Sequence, residues 1–216
     1  MKRSAINTAL RQAQATLAAH HWALPAWAGW GAADHAANPA QSTFLKARQL
    51  GWDVTDFGSG DFARRGLVLF CVRNGIQGDA AERPYAEKLL FVGLGQETPF
   101  HCHKVKLEDI IVRGGGTLVV EFTANGSFEA DAPVWVDGRR VDAFAGPIRL
   151  NAGESVTIPR GLMHRFWGEG APVFVAEVSQ CNDDHHDNFF LEPVGRFAEI
   201  DEDEAPLYPL WNEAAR

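Results

Sequence analysis

An all-β fold, a sandwich or closed barrel of the jelly-roll kind, is what this 216-residue sequence predicts. Short runs rich in Val, Ile, Leu and Phe recur between Trp52 and Val178, and glycine-bearing turns separate them. Helical spacing, by contrast, is confined to residues 1–50.

The elements follow in chain order. Residues 4–20 predict an amphipathic helix, with Ser4 placed to cap it and Ile6, Leu10, Ala13 and Leu17 at helical spacing. Pro25 and the tryptophans Trp22, Trp27 and Trp30 predict a loop packed on the core, although an indole also stacks well on a sugar. A second short helix is expected over 42–50, ending at Gly51. Strands are expected over 52–60, 67–74, 88–93 and 117–122, then as a hairpin of 134–136 and 139–144 about Asp137 and Gly138. Three more follow at 148–150, 155–158 and 173–178. The expected organisation is one domain, with a helical extension over 1–50, a β-barrel over 51–180 and a tail over 181–216 packed on the barrel. In that tail Asp201 to Glu204 reads as a solvated acidic face, and the adjacent His185 and His186 would point apart.

Composition narrows the class of partner. Hydrophobic residues make up 46% and charged residues 22%, ordinary for a globular protein. A formal charge of −8 argues against nucleic acid or an anionic membrane as partner. The first residues carry no secretory pattern and no run is long enough to span a bilayer. Cys71, Cys102 and Cys181 are odd in number and widely spaced, so a disulfide framework is not expected. A cytoplasmic location is the expectation.

The chemistry concentrates in 95–116, GQETPFHCHKVKLEDIIVRGGG. His101 and His103 are two apart, so on a strand both imidazoles face the same way, while Cys102 faces away. Glu108 follows at the start of the apolar run Ile110, Ile111 and Val112, and His164 comes later, after Gly153, Pro159 and Gly161. Imidazoles with a carboxylate suit Mn, Fe, Co, Ni or Zn better than Ca or Mg.

Together these segments resemble the two motifs of the cupin superfamily. Gly95, His101, His103, Glu108 and Gly115 fit the first; Gly153, Pro159, Gly161 and His164 fit the second, with Gly168 where an Asn is usual. Glycine can take the positive φ of that Asn. The resemblance implies a single cupin domain with His101, His103, Glu108 and His164 as metal ligands.

A narrower resemblance is to the D-lyxose isomerase family of cupins. YAEK at 85–88, Gln96 and Pro99 before the histidines, Lys106 through Ile111, and RGGG at 113–116 carry it most specifically. LGWD at 50–53, TDFG at 55–58, RNG at 73–75, VGRF at 194–197 and Glu202 to Pro206 extend it over most of the chain. The pair Val105 and Lys106 departs from the bulkier or more basic pair common there, which touches substrate preference more than mechanism. The resemblance implies a metal-dependent aldose–ketose isomerase that interconverts D-lyxose with D-xylulose, and often D-mannose with D-fructose. It also implies Mn²⁺ as the usual metal, with Co²⁺, Fe²⁺, Ni²⁺ or Zn²⁺ as chemical alternatives, and a homodimer.

Such a reaction needs groups that move protons on carbon and on oxygen. Lys106, two residues before Glu108, would share its face on a strand and reach a sugar oxygen; otherwise it forms a salt bridge at the barrel mouth. Glu192, set among Phe189, Phe190 and Leu191, is the first candidate for the base on carbon, with Arg196 holding a sugar hydroxyl or the carboxylate. Glu177, on the strand over 173–178, is the rival. Two other readings of the same ligands are an Fe²⁺-dependent cupin dioxygenase and a non-catalytic carbohydrate-binding cupin.

Overall fold

The computed structural model describes residues 1–128 and 133–213, so 214–216 of the expected tail lie outside the described residues. Helix α1 (Arg3–Ala19) opens the chain, followed by a 3-10 turn (Ala26–Gly29), α2 (Ala32–Ala37) and α3 (Pro39–Ala47). Eleven strands follow: β1 (Gly51–Thr55), β2 (Leu67–Arg73), β3 (Tyr85–Val92), β4 (Glu97–Cys102), β5 (Glu108–Thr123), β6 (Val134–Val136), β7 (Arg139–Val141), β8 (Ile148–Leu150), β9 (Ser155–Ile158), β10 (Met163–Gln180) and β11 (Phe189–Phe190).

Two strands organise the rest. β5 and β10 run antiparallel to each other from Thr123–Met163 to Glu108–Ser179. The C-terminal half of β10 also pairs with β3, extending through β2 to β1, while its N-terminal half pairs with β4. β5 likewise pairs with β9 at one end and β8 at the other. The long pair therefore belongs to both walls of a jelly roll, and the walls part where the register shifts between Glu169 and Val173. The sequence predicts two separate short strands, 117–122 and 173–178, with none expected across Gly114 to Gly116 or Gly168 to Pro172. In the fold these residues form the bend of continuous strands.

Gly168 departs from expectation in detail. Its φ is not positive; the backbone carbonyl of Gly93 packs where a Cβ would be, so close approach is what requires glycine. The hairpin β6–β7 turns at Asp137 and Gly138, both at positive φ, as predicted.

Between the walls lies one apolar core, including Leu69, Leu90, Val112, Val120, Ile158 and Val175. A second layer forms where Ile6, Leu10 and Leu17 of α1 cover Trp52, Val68, Phe70, Leu89 and Phe174. The first wall is thus buried on both faces, which explains why β2 reads as a continuous apolar run. Trp52 donates its indole N–H to the Ala28 carbonyl, and Trp22 and Trp27 pack against the same layer as core.

One expectation at the termini is corrected and one extended. Lys2, not Ser4, is the N-cap residue of α1, and the Ser4 amide and hydroxyl are bound by Asp203. The acidic run is exposed, as expected, and also makes contacts: Glu202, together with Glu213 further on, holds the buried Arg3 guanidinium, and Glu204 accepts from Asn7. The tail thereby brings carboxylates to the positive end of the helix macrodipole.

Candidate active site

β4 delivers His101, and His103 follows immediately after the strand ends. Glu108 is the first residue of β5 and His164 the second of β10, whose register places His164 opposite both His101 and Phe122. All four side chains are buried, Glu108 and His164 to 2% and 1% exposure. One nitrogen of each imidazole is pinned by a carbonyl: His101 Nδ1 by Pro99 at 2.9 Å, His103 Nδ1 by Asp187 and His164 Nδ1 by Leu162 at 2.9 Å. That fixes the rings with Nε2 toward the interior, the second-sphere arrangement that orients metal-binding histidines.

The ligand atoms of the three histidines lie within 4.8 Å of one another. Glu108 Oε1 is 3.0 Å from His164 Nε2, and Oε2 is 3.6 Å from His103 Nε2. His164 Nε2 is nonetheless buried with no partner in hydrogen-bond geometry among the described residues. An orphaned imidazole nitrogen beside two others and a carboxylate is a donor set that fits a divalent ion. Burial, together with the neighbouring imidazoles for His101 and Lys106 for His103, lowers both pKa values and keeps those rings neutral. Burial opposes ionisation of Glu108, but the Lys106 ammonium outweighs it and holds its pKa well below the carboxylate range.

Lys106 is 2% exposed and spans two carboxylates, with Nζ 2.8 Å from Glu108 Oε2 and 2.7 Å from Glu177 Oε1. It reaches the cavity from the loop between β4 and β5, not from a shared strand face as expected. Burial pulls against its charge, yet Glu108 and Glu177 raise its pKa above the ordinary lysine value. Glu177 is paired across the sheet with Lys88, whose Nζ is 3.4 Å from Oε1, and it also accepts from the Ser179 hydroxyl at 3.0 Å. Burial disfavours its charge, but Lys106 and Lys88 prevail and its pKa falls.

Glu192, the first candidate for the base on carbon, is not among the residues lining this cavity. β11 ends at Phe190, and the chain bends over 191–193. The Glu192 carboxylate is half-exposed and bound by Arg65 Nη1 at 2.9 Å. Phe190, two residues earlier, does line the cavity. Arg196 does line it, held by Asp53 at 2.6 Å and Asp184 at 3.0 Å, with Nη1 buried and unpartnered among the described residues.

Lys88, Thr98, Asp184 and Asn188 also line the cavity and escaped the sequence reading. Lys88 was within reach: it shares strand parity with Leu90 and Val92, both in the inner core.

An antiparallel jelly roll with three imidazoles and a carboxylate inside its barrel defines a cupin with a candidate metal centre. Its backbone is similar to the L-ribose isomerase of Acinetobacter sp. DL28, crystallised as a variant in complex with L-ribose: TM-score 0.63, 18% identity, covering 93% of this chain and 98% of that one. The ligand-free L-ribose isomerase of Cellulomonas parahominis gives a TM-score of 0.60 at 18% identity, over 89% and 95% of the two chains. At such identity the likeness establishes the fold alone.

Sequence comparison goes further. The family profile described as D-lyxose isomerase matches residues 1–214. The D-lyxose/D-mannose isomerase of Serratia proteamaculans is 44% identical over 230 residues, which cover 100% of this chain and 99% of that protein. That of Escherichia coli O157:H7 is 44% identical over 229 residues, covering 99% and 98%. The chain belongs to the D-lyxose isomerase family, and it is an isomerase enzyme of the aldose–ketose class.

Proposed function

We propose that the protein interconverts D-lyxose with D-xylulose, and D-mannose with D-fructose, using a divalent cation held by His101, His103, Glu108 and His164. The observation that carries this reading is the Lys106 ammonium, suspended between Glu108 of the donor set and a second carboxylate, Glu177, in the same cavity. Mn²⁺ is the proposed metal, with Co²⁺, Fe²⁺, Ni²⁺ and Zn²⁺ compatible with the donors. The homodimer and the cytoplasmic location are supported by the family resemblance, and the location also by three buried, free cysteines.

Aldose–ketose exchange moves one proton from C2 to C1 and one from O2 to O1. The bound cation supplies Lewis-acid stabilisation of the charge that develops on O1 and O2. Glu177, ionised and buried, takes the proton from C2; the electron pair forms the C1–C2 double bond of an enediol. Lys106 donates a proton to O1 and recovers one from O2. Glu177 then returns its proton to C1, and both side chains regain their starting charge. Phe57, Leu67 and Phe190 line an apolar side of the cavity, which limits water near the enediol. The unpartnered Arg196 Nη1 is a donor for a hydroxyl further along the sugar.

The test is a coupled assay on protein stripped with EDTA and reloaded with Mn²⁺. D-lyxose and D-mannose are expected to yield ketose only after reloading. Absence of ketose from either sugar, with O₂ consumed on some other substrate, would move the assignment to the oxygenase. A second expectation separates the two glutamates. Glu192→Gln removes a part-exposed ion pair with Arg65 and no residue lining the cavity, so turnover is expected to stay within about fivefold of the parent. A loss of orders of magnitude would restore Glu192 to the chemistry.

A further inference from the structure

The tail residues Asp183 to Asp187 have no place in the chemistry as read from sequence, because their histidines point apart. The structure puts the last of them directly beneath the site. Asp187 is 2% exposed, and three successive backbone amides converge on its carboxylate. Lys104 N donates to Oδ1 at 2.7 Å, Val105 N to Oδ1 at 3.1 Å and Oδ2 at 3.3 Å, and Lys106 N to Oδ2 at 3.0 Å. The carbonyl of the same residue accepts the Nδ1 proton of His103. One residue from the far end of the chain therefore holds three of the four amides between His103 and Glu108, the fourth, of Leu107, donating to Gln180 Oε1 at 3.1 Å. Asp187 itself is not among the residues lining the cavity.

We infer that Asp187 is a positioning residue: its carboxylate sets the Lys104–Lys106 turn so that the Lys106 ammonium is delivered between Glu108 and Glu177. The inference deepens the proposed function and rests on Lys106 moving protons on the sugar oxygens. A lysine side chain has several rotatable bonds, so the place of its ammonium depends on where the backbone starts it. Displacing a reacting group by about 1 Å can cost about 100-fold in rate. Burying the carboxylate is tolerable because the amides satisfy it; in return those amides leave the turn a single arrangement.

Asp187→Asn tests this. The amide keeps shape and one acceptor, but sets an NH₂ group against one of the backbone donors. The expected result with Mn²⁺-loaded enzyme is a fall in kcat of about 100-fold with KM little changed. Mn²⁺ affinity, followed by calorimetric titration, should stay within about threefold, because the carbonyl that orients His103 is untouched. The decisive readout is a double-mutant cycle with Lys106→Met: if Asp187 acts through the lysine, the double variant is no slower than Lys106→Met alone. Losses that multiply, a kcat near the parent's, or a matching fall in Mn²⁺ affinity would each overturn the inference while leaving the isomerase reading in place. Parental turnover by Lys106→Met would instead remove the lysine from the mechanism, and Asp187 with it. Should Asp187→Asn not melt cooperatively, Asp187→Ser, which keeps one small acceptor, carries the same cycle.

Discussion

Glu177→Gln is expected to keep its bound cation and lose turnover by about 10²- to 10⁴-fold, the usual contribution of a positioned acid or base. The amide preserves the shape of a side chain packed between Lys106 at 2.7 Å, Ser179 at 3.0 Å and Lys88 at 3.4 Å. It cannot take a proton from carbon, and nothing else on the wall of β10 faces the cavity with a carboxylate among the described residues. Glu177 is not part of the three-histidine cluster, so metal content measured by elemental analysis should remain that of the parent. Exchange of the sugar's C2 deuterium with solvent should vanish along with ketose formation. Turnover within tenfold of the parent would dismiss Glu177 as the base.

His103→Ala is expected to lose metal and activity together. Residues that merely orient a metal ligand are worth about 10- to 100-fold in affinity, so removing a ligand should exceed the upper end of that range. The substitution also leaves the Asp187 carbonyl without its donor and opens space beside Glu108. Equilibrium dialysis against Mn²⁺ is the measurement. Stoichiometric Mn²⁺ at parental affinity would show that His103 is not a ligand, and the donor set would have to be redrawn around His101 and His164.

The candidate centre was legible because its spacing is a local property: two histidines on alternate positions, a glutamate opening the next strand, glycines and a proline at the bends. Lys106 was found for a reason the fold does not support. It sits in a loop rather than on the face of Glu108, and its reach comes from a turn shaped by a distant carboxylate. The choice between Glu177 and Glu192 required knowing how the tail lies, which no local spacing encodes. Parity would have favoured Glu177, since Val173 and Val175 on the same side of β10 face the inner core. Apolar neighbours drew attention to Glu192, yet Phe190 uses them to line the cavity while Glu192 turns outward to Arg65.

The two long strands were hidden by their own bends. Glycine and proline read as punctuation in a sequence, but in β5 and β10 they let one strand serve both walls. The acidic stretch near the end is solvated surface, and its partners, Arg3, Ser4 and Asn7, were not legible because they stand at the opposite end of the chain.

The hydrogen bond from His103 to the carbonyl of Asp187 joins residues 84 positions apart. During synthesis the imidazole leaves the ribosome well before the group that aims it, and every strand from β5 to β10 emerges in between. A nascent chain can therefore own all its histidines and still lack a finished coordination sphere. The contact that aims His103 can form only once the chain has been made as far as Asp187.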